Sequence, residues 1–158
     1  MTRIHSVALA STTVLTRYLG ALAVLAVGVD HIEQYYVDYY RAVPTIGTLF
    51  VLDFMSATVI AVGLLLPLRR LTSRFGDRLF TLLALAGIGI GAGTLAGLLA
   101  SENVGLFGFM EVGYRSAIVL SIVFDVAAIA FLSAFLALRA LSHGARGHSL
   151  THHKELAQ

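Results

Sequence analysis

The chain reads as an all-α integral membrane protein, a four-helix bundle of up-down-up-down topology with both termini in the cytoplasm. Three observations predict this. Hydrophobic residues make up 58% of the 158 and charged residues only 13%, about half the share (roughly 25%) usual in soluble domains. Four largely apolar segments have the length of roughly 20 residues that a helix needs to cross a hydrocarbon core about 30 Å thick. Arginines concentrate in alternate connections, as inward-facing loops require.

Residues 1–16 read as a short amphipathic or disordered lead-in. Ala8, Leu9 and Ala10 look like a cleavage site, but the apolar run before them is too short for a signal peptide. The first span, about 18–37, begins after Arg17 with an apolar run to Val29. It is then interrupted by Asp30 and His31. Pro44 precedes the second span, about 46–67, which closes at Pro67 and the pair Arg69, Arg70. Asp77 and Arg78 open the third, about 79–100, and Ser101, Glu102 and Asn103 close it. The fourth runs over about 114–138. Short loops make sequential helices neighbours. Residues 1–141 thus form one transmembrane domain, followed by a polar, disordered tail over 142–158 that carries His143, His148, His152 and His153.

Orientation follows from the basic residues. Arg3, Arg17, Arg69, Arg70, Arg74, Arg78, Arg139, Arg146 and Lys154 flank one end of the spans, whereas the other end has only Arg41 and Arg115. The formal charge of +2 and the absence of a basic stripe argue against a nucleic-acid partner. The partners that remain are the lipid bilayer and either a second copy of the chain or a larger membrane complex. With no cysteine, disulfides and thiolate metal sites are excluded. Arginine at ten of the eleven basic positions, with heavy Ala, Leu, Gly and Val usage, points to a GC-rich bacterial genome and a bacterial plasma membrane.

That orientation gathers the acids. Asp30, His31, Glu33 and Gln34 lie in the outer half of helix 1, and Asp53 lies about eight residues into helix 2, roughly 12 Å deep. Glu111 and Arg115 stand at the i,i+4 spacing that favours an ion pair. Asp30 and Asp53 fall at comparable depth on adjacent helices. Two carboxylates that close need a proton or a counter-charge such as Arg115, Arg41 or His31. One reading is a proton-titrating or cation-coordinating pocket open to the outside. The other is a set of Asp–Arg and Glu–Arg bridges that fix helix register. Asp30, His31, Glu33 and Asp53 are the candidate ligands for a divalent metal, although the Glu-x-x-His repeat of di-iron bundles is absent. Asp125, near the middle of helix 4 beside Ser121, is a second deep carboxylate and a candidate proton relay.

Tyr35, Tyr36, Tyr39 and Tyr40 form an aromatic patch suited to interfacial anchoring or to a lid over the acids. Thr45, Thr48 and Tyr114 add hydroxyls at the same level. In helix 3, Gly87, Gly89, Gly91, Gly93 and Gly97 fall four apart in two rows. They read as a packing spine or an oligomer face rather than a phosphate loop, because no strand precedes them.

With His31 ending the first span, Pro44 in the loop, and Asp53 and Gly63 in helix 2, the chain resembles the DoxX-like family of small four-helix membrane proteins. Segments such as Gly28–His31 and Pro44–Phe50 are also similar to small membrane proteins of high-GC Gram-positive bacteria. The DoxX-like resemblance implies an accessory role beside quinol oxidases or other membrane redox complexes. Three functions are open at this point. The first is an accessory or ligand-binding component holding a quinone, lipid headgroup or ion. The second is an oligomeric proton- or cation-coupled transporter. The third is an intramembrane enzyme, for which no nucleophile–base pair is visible.

Overall fold

The structure, a computed structural model, describes residues 2–68, 75–111, 113 and 115–155, with side chains placed over 7–142 within those ranges. Four long helices account for most of it. They are α1 (Thr2–Val37), α2 (Pro44–Leu65), α3 (Gly76–Asn103) and α4 (Ser116–Glu155), with a 3-10 turn at Tyr40–Ala42 between the first two. Each is long and apolar enough to cross a membrane. The chain is a multi-pass membrane protein built as a four-helix bundle. Helix α1 packs against α2 and α4, and α3 packs against the same two, while the α1–α3 diagonal is sparse. The helices therefore follow chain order around a square, as short connections dictate.

One apolar seam holds the square together. On α4 the buried positions are Ile118, Ser121, Asp125, Ala128, Leu132, Phe135 and Arg139, spaced alternately by three and four, the repeat of an interlocking helix seam. Val24, Val27, Leu64 and Leu132 are fully buried at its centre. Large apolar side chains also cover the outside, among them Leu22, Val59, Leu82 and Val126, each more than half exposed. In lipid such residues cost nothing, because acyl chains are as apolar as the core.

Close approach of α1 and α2 rests on Gly28. A Cβ there would lie 2.8 Å from the Ala57 Cβ and 3.3 Å from the Phe54 Cα, so only hydrogen fits. Gly28 lies one turn before His31, and Phe54 directly follows Asp53. The same contact therefore brings the first span's histidine to the second span's carboxylate.

Both ends of the chain differ from expectation. Helix α1 starts at Thr2 rather than near residue 18, because nothing in 2–17 breaks it. Within that stretch Thr12 and Thr13 satisfy their hydroxyls on the carbonyls of Ala8 and Leu9, at 3.0 and 2.7 Å. Helix α4 continues to Glu155 where a disordered tail is expected from 142; no proline interrupts it. It begins only at Ser116, so Glu111 and Arg115 precede the helix instead of riding on it. Arg69, Arg70, Arg74 and Tyr114 lie outside the described residues.

The α3–α4 connection folds into a tight hairpin. Leu106 and Phe109 exchange backbone hydrogen bonds of 2.7 and 2.9 Å. The two residues between them, Phe107 and Gly108, both have positive φ (51° and 80°). A two-residue loop of this hand suits Gly at one position but places Phe107 in a region that side chains rarely occupy.

Candidate functional site

In the half of the bundle that carries the acids, the helices enclose a cavity of about 390 Å3, within the range of small-molecule sites. Its back wall is buried and polar. His31 and Gln34 come from α1, and Ser121 and Asp125 from α4. Its other walls come from α2 (Leu49, Leu52, Asp53, Ser56) and α3 (Gly89, Gly93, Thr94, Ser101).

Asp30 and Asp53, expected to face each other, do not. The 100° step per residue in a helix turns adjacent residues to different neighbours. Asp30 faces α4, where it accepts hydrogen bonds from the Ser121 hydroxyl and, at 2.7 Å, from the Gln34 amide. The same amide reaches the Ser121 Oγ at 2.9 Å. Asp30 is buried behind the cavity wall with both bonds on its Oδ2, where it positions Gln34 and Ser121. His31 faces α2. Its Nδ1 lies 2.8 Å from the Val27 carbonyl, which can only accept, so Nδ1 carries the proton. Asp53 Oδ2 lies 3.5 Å from the same nitrogen, near enough for an ion pair but without a hydrogen bond. Phe50 packs edge-on against the imidazole with ring centroids 4.7 Å apart. Nε2 has no hydrogen-bond partner among the described residues.

Two carboxylate oxygens in the cavity are also without partners. Asp53 Oδ2 and Asp125 Oδ1 are both shielded and make no hydrogen bond; Asp125 is 1% exposed. Buried polar groups are rarely left so, and leaving one unmade costs about 1–3 kcal/mol. Asp125 lines the same cavity as His31 and Asp53.

The aqueous end of the cavity is capped. Tyr40 is buried, with its hydroxyl donating to Glu111 Oε2. Arg115 Nη2 donates to the Tyr40 oxygen at 2.9 Å and lies 3.4 Å from Glu111 Oε1. Arg115 Nη1 lies 3.2 Å from Asp38. The Glu111 N–H bonds to the Ser101 Oγ at 3.1 Å, which ties the cap to the end of α3. Leu106 and Phe109 of the hairpin complete it. These contacts lie across the end of the cavity that was expected to open to the outside. Tyr40, expected among the interfacial anchors, becomes part of the seal. Tyr36 and Tyr39 remain exposed, and Tyr35 sits edge-on to Tyr36 at 4.9 Å. Glu33 is exposed and takes no part in the cavity. Thr45 and Thr48 are exposed too, and Thr48 is satisfied by the Pro44 carbonyl at 2.7 Å.

The opening is sideways. The exposed residues that line the cavity include Leu49, Leu52 and Ser56 on α2, and Gly89 and Gly93 on α3. The glycine rows of α3 divide accordingly. Gly87 and Gly91 pack as expected: a Cβ on Gly87 would lie 2.6 Å from Leu132 Cδ1, and one on Gly91 would lie 3.0 Å from the Asp125 carbonyl. Gly89 and Gly93 meet nothing within 4 Å. They pack against no other helix of this chain and border the cavity between α2 and α3 near mid-helix. Sequence reading missed this, along with the roles of Ser101, Phe109 and Gly28. Only Ser121, one turn from Asp125, carried a visible signal.

Among the described residues no group of three His, Cys, Asp or Glu side chains is placed to hold a metal ion. The four candidate ligands point three ways: Asp30 to α4, His31 and Asp53 to each other, and Glu33 outward.

The cap titrates at high pH. Burial, and then the hydrogen bond to Glu111, push the Tyr40 hydroxyl well above its ordinary value of 10.0. The folded state favours the neutral phenol, so this stabilisation is complete below about pH 10, where the unfolded chain begins to ionise. It is lost as pH rises further. Parent stability should fall by about 1.4 kcal/mol per pH unit above pH 10. In unfolding titrations from pH 8 to 11.5, Tyr40→Phe should show a shallower decline; identical slopes would show that the cap does not hold the neutral phenol.

Comparison with known families, with curated proteins and with solved structures finds no match to this chain.

Proposed function

We propose that this protein is a ligand-binding accessory component of a bacterial plasma membrane, and that it takes the polar head of a lipid-soluble molecule, a quinone or a lipid, sideways from the bilayer. The observation that carries this reading is the direction of the opening. A cavity sealed against water by Tyr40, Glu111 and Arg115, yet bordered by exposed Leu52, Ser56 and Gly93 between two spans, suits a ligand already dissolved in lipid. Its depth holds His31, Asp53 and Asp125, polar groups that such a head would engage. The DoxX-like resemblance favours a quinone-linked partner complex.

A transmembrane path has less support. Beyond Asp125 the core closes with Val24, Leu64, Ala128, Leu132 and Phe135. A proton or cation that reached Asp125 from the cavity would meet this apolar layer next.

Full-length protein purified in nanodiscs should retain one lipophilic species enriched over the bulk lipid, detected by extraction and mass spectrometry. Asp53→Asn should reduce that enrichment about tenfold, equivalent to 1.4 kcal/mol, while leaving the helix content unchanged. Lipid content matching the bulk in the parent would overturn the proposal.

A further inference from the structure

At the opposite end of the bundle lies a second, smaller cleft of about 70 Å3, lined by Thr13, Val14, Arg17, Phe80, Phe135 and Arg139. One water occupies roughly 30 Å3 of liquid, so the cleft has room for a small polyatomic group. Two guanidiniums face it, and they are held differently. Arg139 Nη2 binds both the Asp77 carboxylate at 3.1 Å and the Asp77 carbonyl at 3.0 Å. Arg17 lies over the rings of Tyr18 and Phe80, 4.7 Å from each centroid. Its Nε is buried without a hydrogen-bond partner, and no carboxylate among the described residues pairs with it.

The sequence explains why. Nine basic residues flank this end of the spans, namely Arg3, Arg17, Arg69, Arg70, Arg74, Arg78, Arg139, Arg146 and Lys154, against Asp77 and Glu155 alone. Asp77 is engaged by Arg139. Arg17 stands in α1 directly before the apolar run that starts at Tyr18, at the edge of the span, where an unpaired charge is tolerated when a counter-ion meets it. Two aromatic rings fix its planar fork, a geometry suited to the oxygens of a phosphate.

We infer that the cleft between α1, α3 and α4 binds the phosphate of an anionic phospholipid headgroup, with Arg17 as the main contact and the Asp77-held Arg139 beside it. The acyl chains of that lipid would lie along the exposed apolar face of α1, where Val14 and Leu15 stand. The site is independent of the cavity at the other end.

Full-length protein in phosphatidylcholine nanodiscs containing one fifth phosphatidylglycerol tests this by native mass spectrometry. The parent should retain phosphatidylglycerol about fivefold over phosphatidylcholine, the ratio expected of one basic contact. Arg17→Gln should lose that preference, Arg17→Lys should keep part of it, and Arg41→Gln at the far end should keep all of it. Should Arg17→Gln not fold, the lysine variant and the parent's own preference still decide the matter. Equal retention of the two lipids by the parent overturns the site. Inorganic phosphate that stabilises the parent in pure phosphatidylcholine, with no effect of phosphatidylglycerol, overturns the lipid assignment.

Discussion

Gly28→Leu should separate α1 from α2, cost about 3 kcal/mol, and break the His31–Asp53 contact. The Cβ alone would sit 2.8 Å from Ala57 Cβ and 3.3 Å from the Phe54 backbone. Neither neighbour is the end of a flexible side chain, so the helices must move rather than a rotamer. Overpacking of this kind costs about 1–3 kcal/mol, occasionally more. The displacement falls one turn from His31, which loses its 3.5 Å approach to Asp53. Unfolding in a mild detergent titrated with a denaturing one reads the stability loss. Gly89→Ala is the control. It faces open space and should be neutral or gain about 0.5–1 kcal/mol from helix propensity. If Gly28→Leu is as stable as the parent, the α1–α2 contact is not as close as described.

Gly93→Leu should do the opposite, emptying the cavity without unfolding the bundle. No atom lies within 4 Å of a Cβ at this position, and the residue lines the cavity beside Thr94. A leucine grows into the space between α2 and α3 and removes glycine's helix penalty of about 0.8–1 kcal/mol. Thermal stability should hold or rise, while the co-purified lipophilic species falls at least about tenfold. Gly87→Leu separates space from packing. Its Cβ meets Leu132 and Val24 at 2.6 and 3.1 Å, so it should lose stability. Retention of ligand by Gly93→Leu at the parent level would exclude the lateral gap as the entrance.

These contrasts show where sequence reading reached and where it stopped. Length and apolarity located all four helices, since a span of about 20 apolar residues has no other stable form in lipid. The crowding of Asp30, His31, Asp53 and Glu111 toward one end was legible from chain direction alone. Which of them meet was not. Asp30 and His31 are adjacent, yet one serves α4 and the other α2, and that depends on the rotation of α1 set by Gly28. The two glycine rows of α3 look alike in sequence because small residues can pack or leave space. Only the placement of Leu132 and Asp125 opposite Gly87 and Gly91, with nothing opposite Gly89 and Gly93, separates them. Tyr40 was hidden for a similar reason. A positive φ at Tyr39 (62°) redirects the chain after α1 and brings the fourth tyrosine under the cap while Tyr36 and Tyr39 stay outside.

The cavity is expected to open to lipid and not to water. Because the chain has no cysteine, Ser56→Cys carries a single nitroxide at the exposed edge of the cavity on α2. Collision accessibility in nanodiscs then reads the answer directly. High accessibility to oxygen with low accessibility to a water-soluble nickel chelate is the expected result. Ready collision with the nickel chelate would mean an aqueous opening, and the account would be wrong.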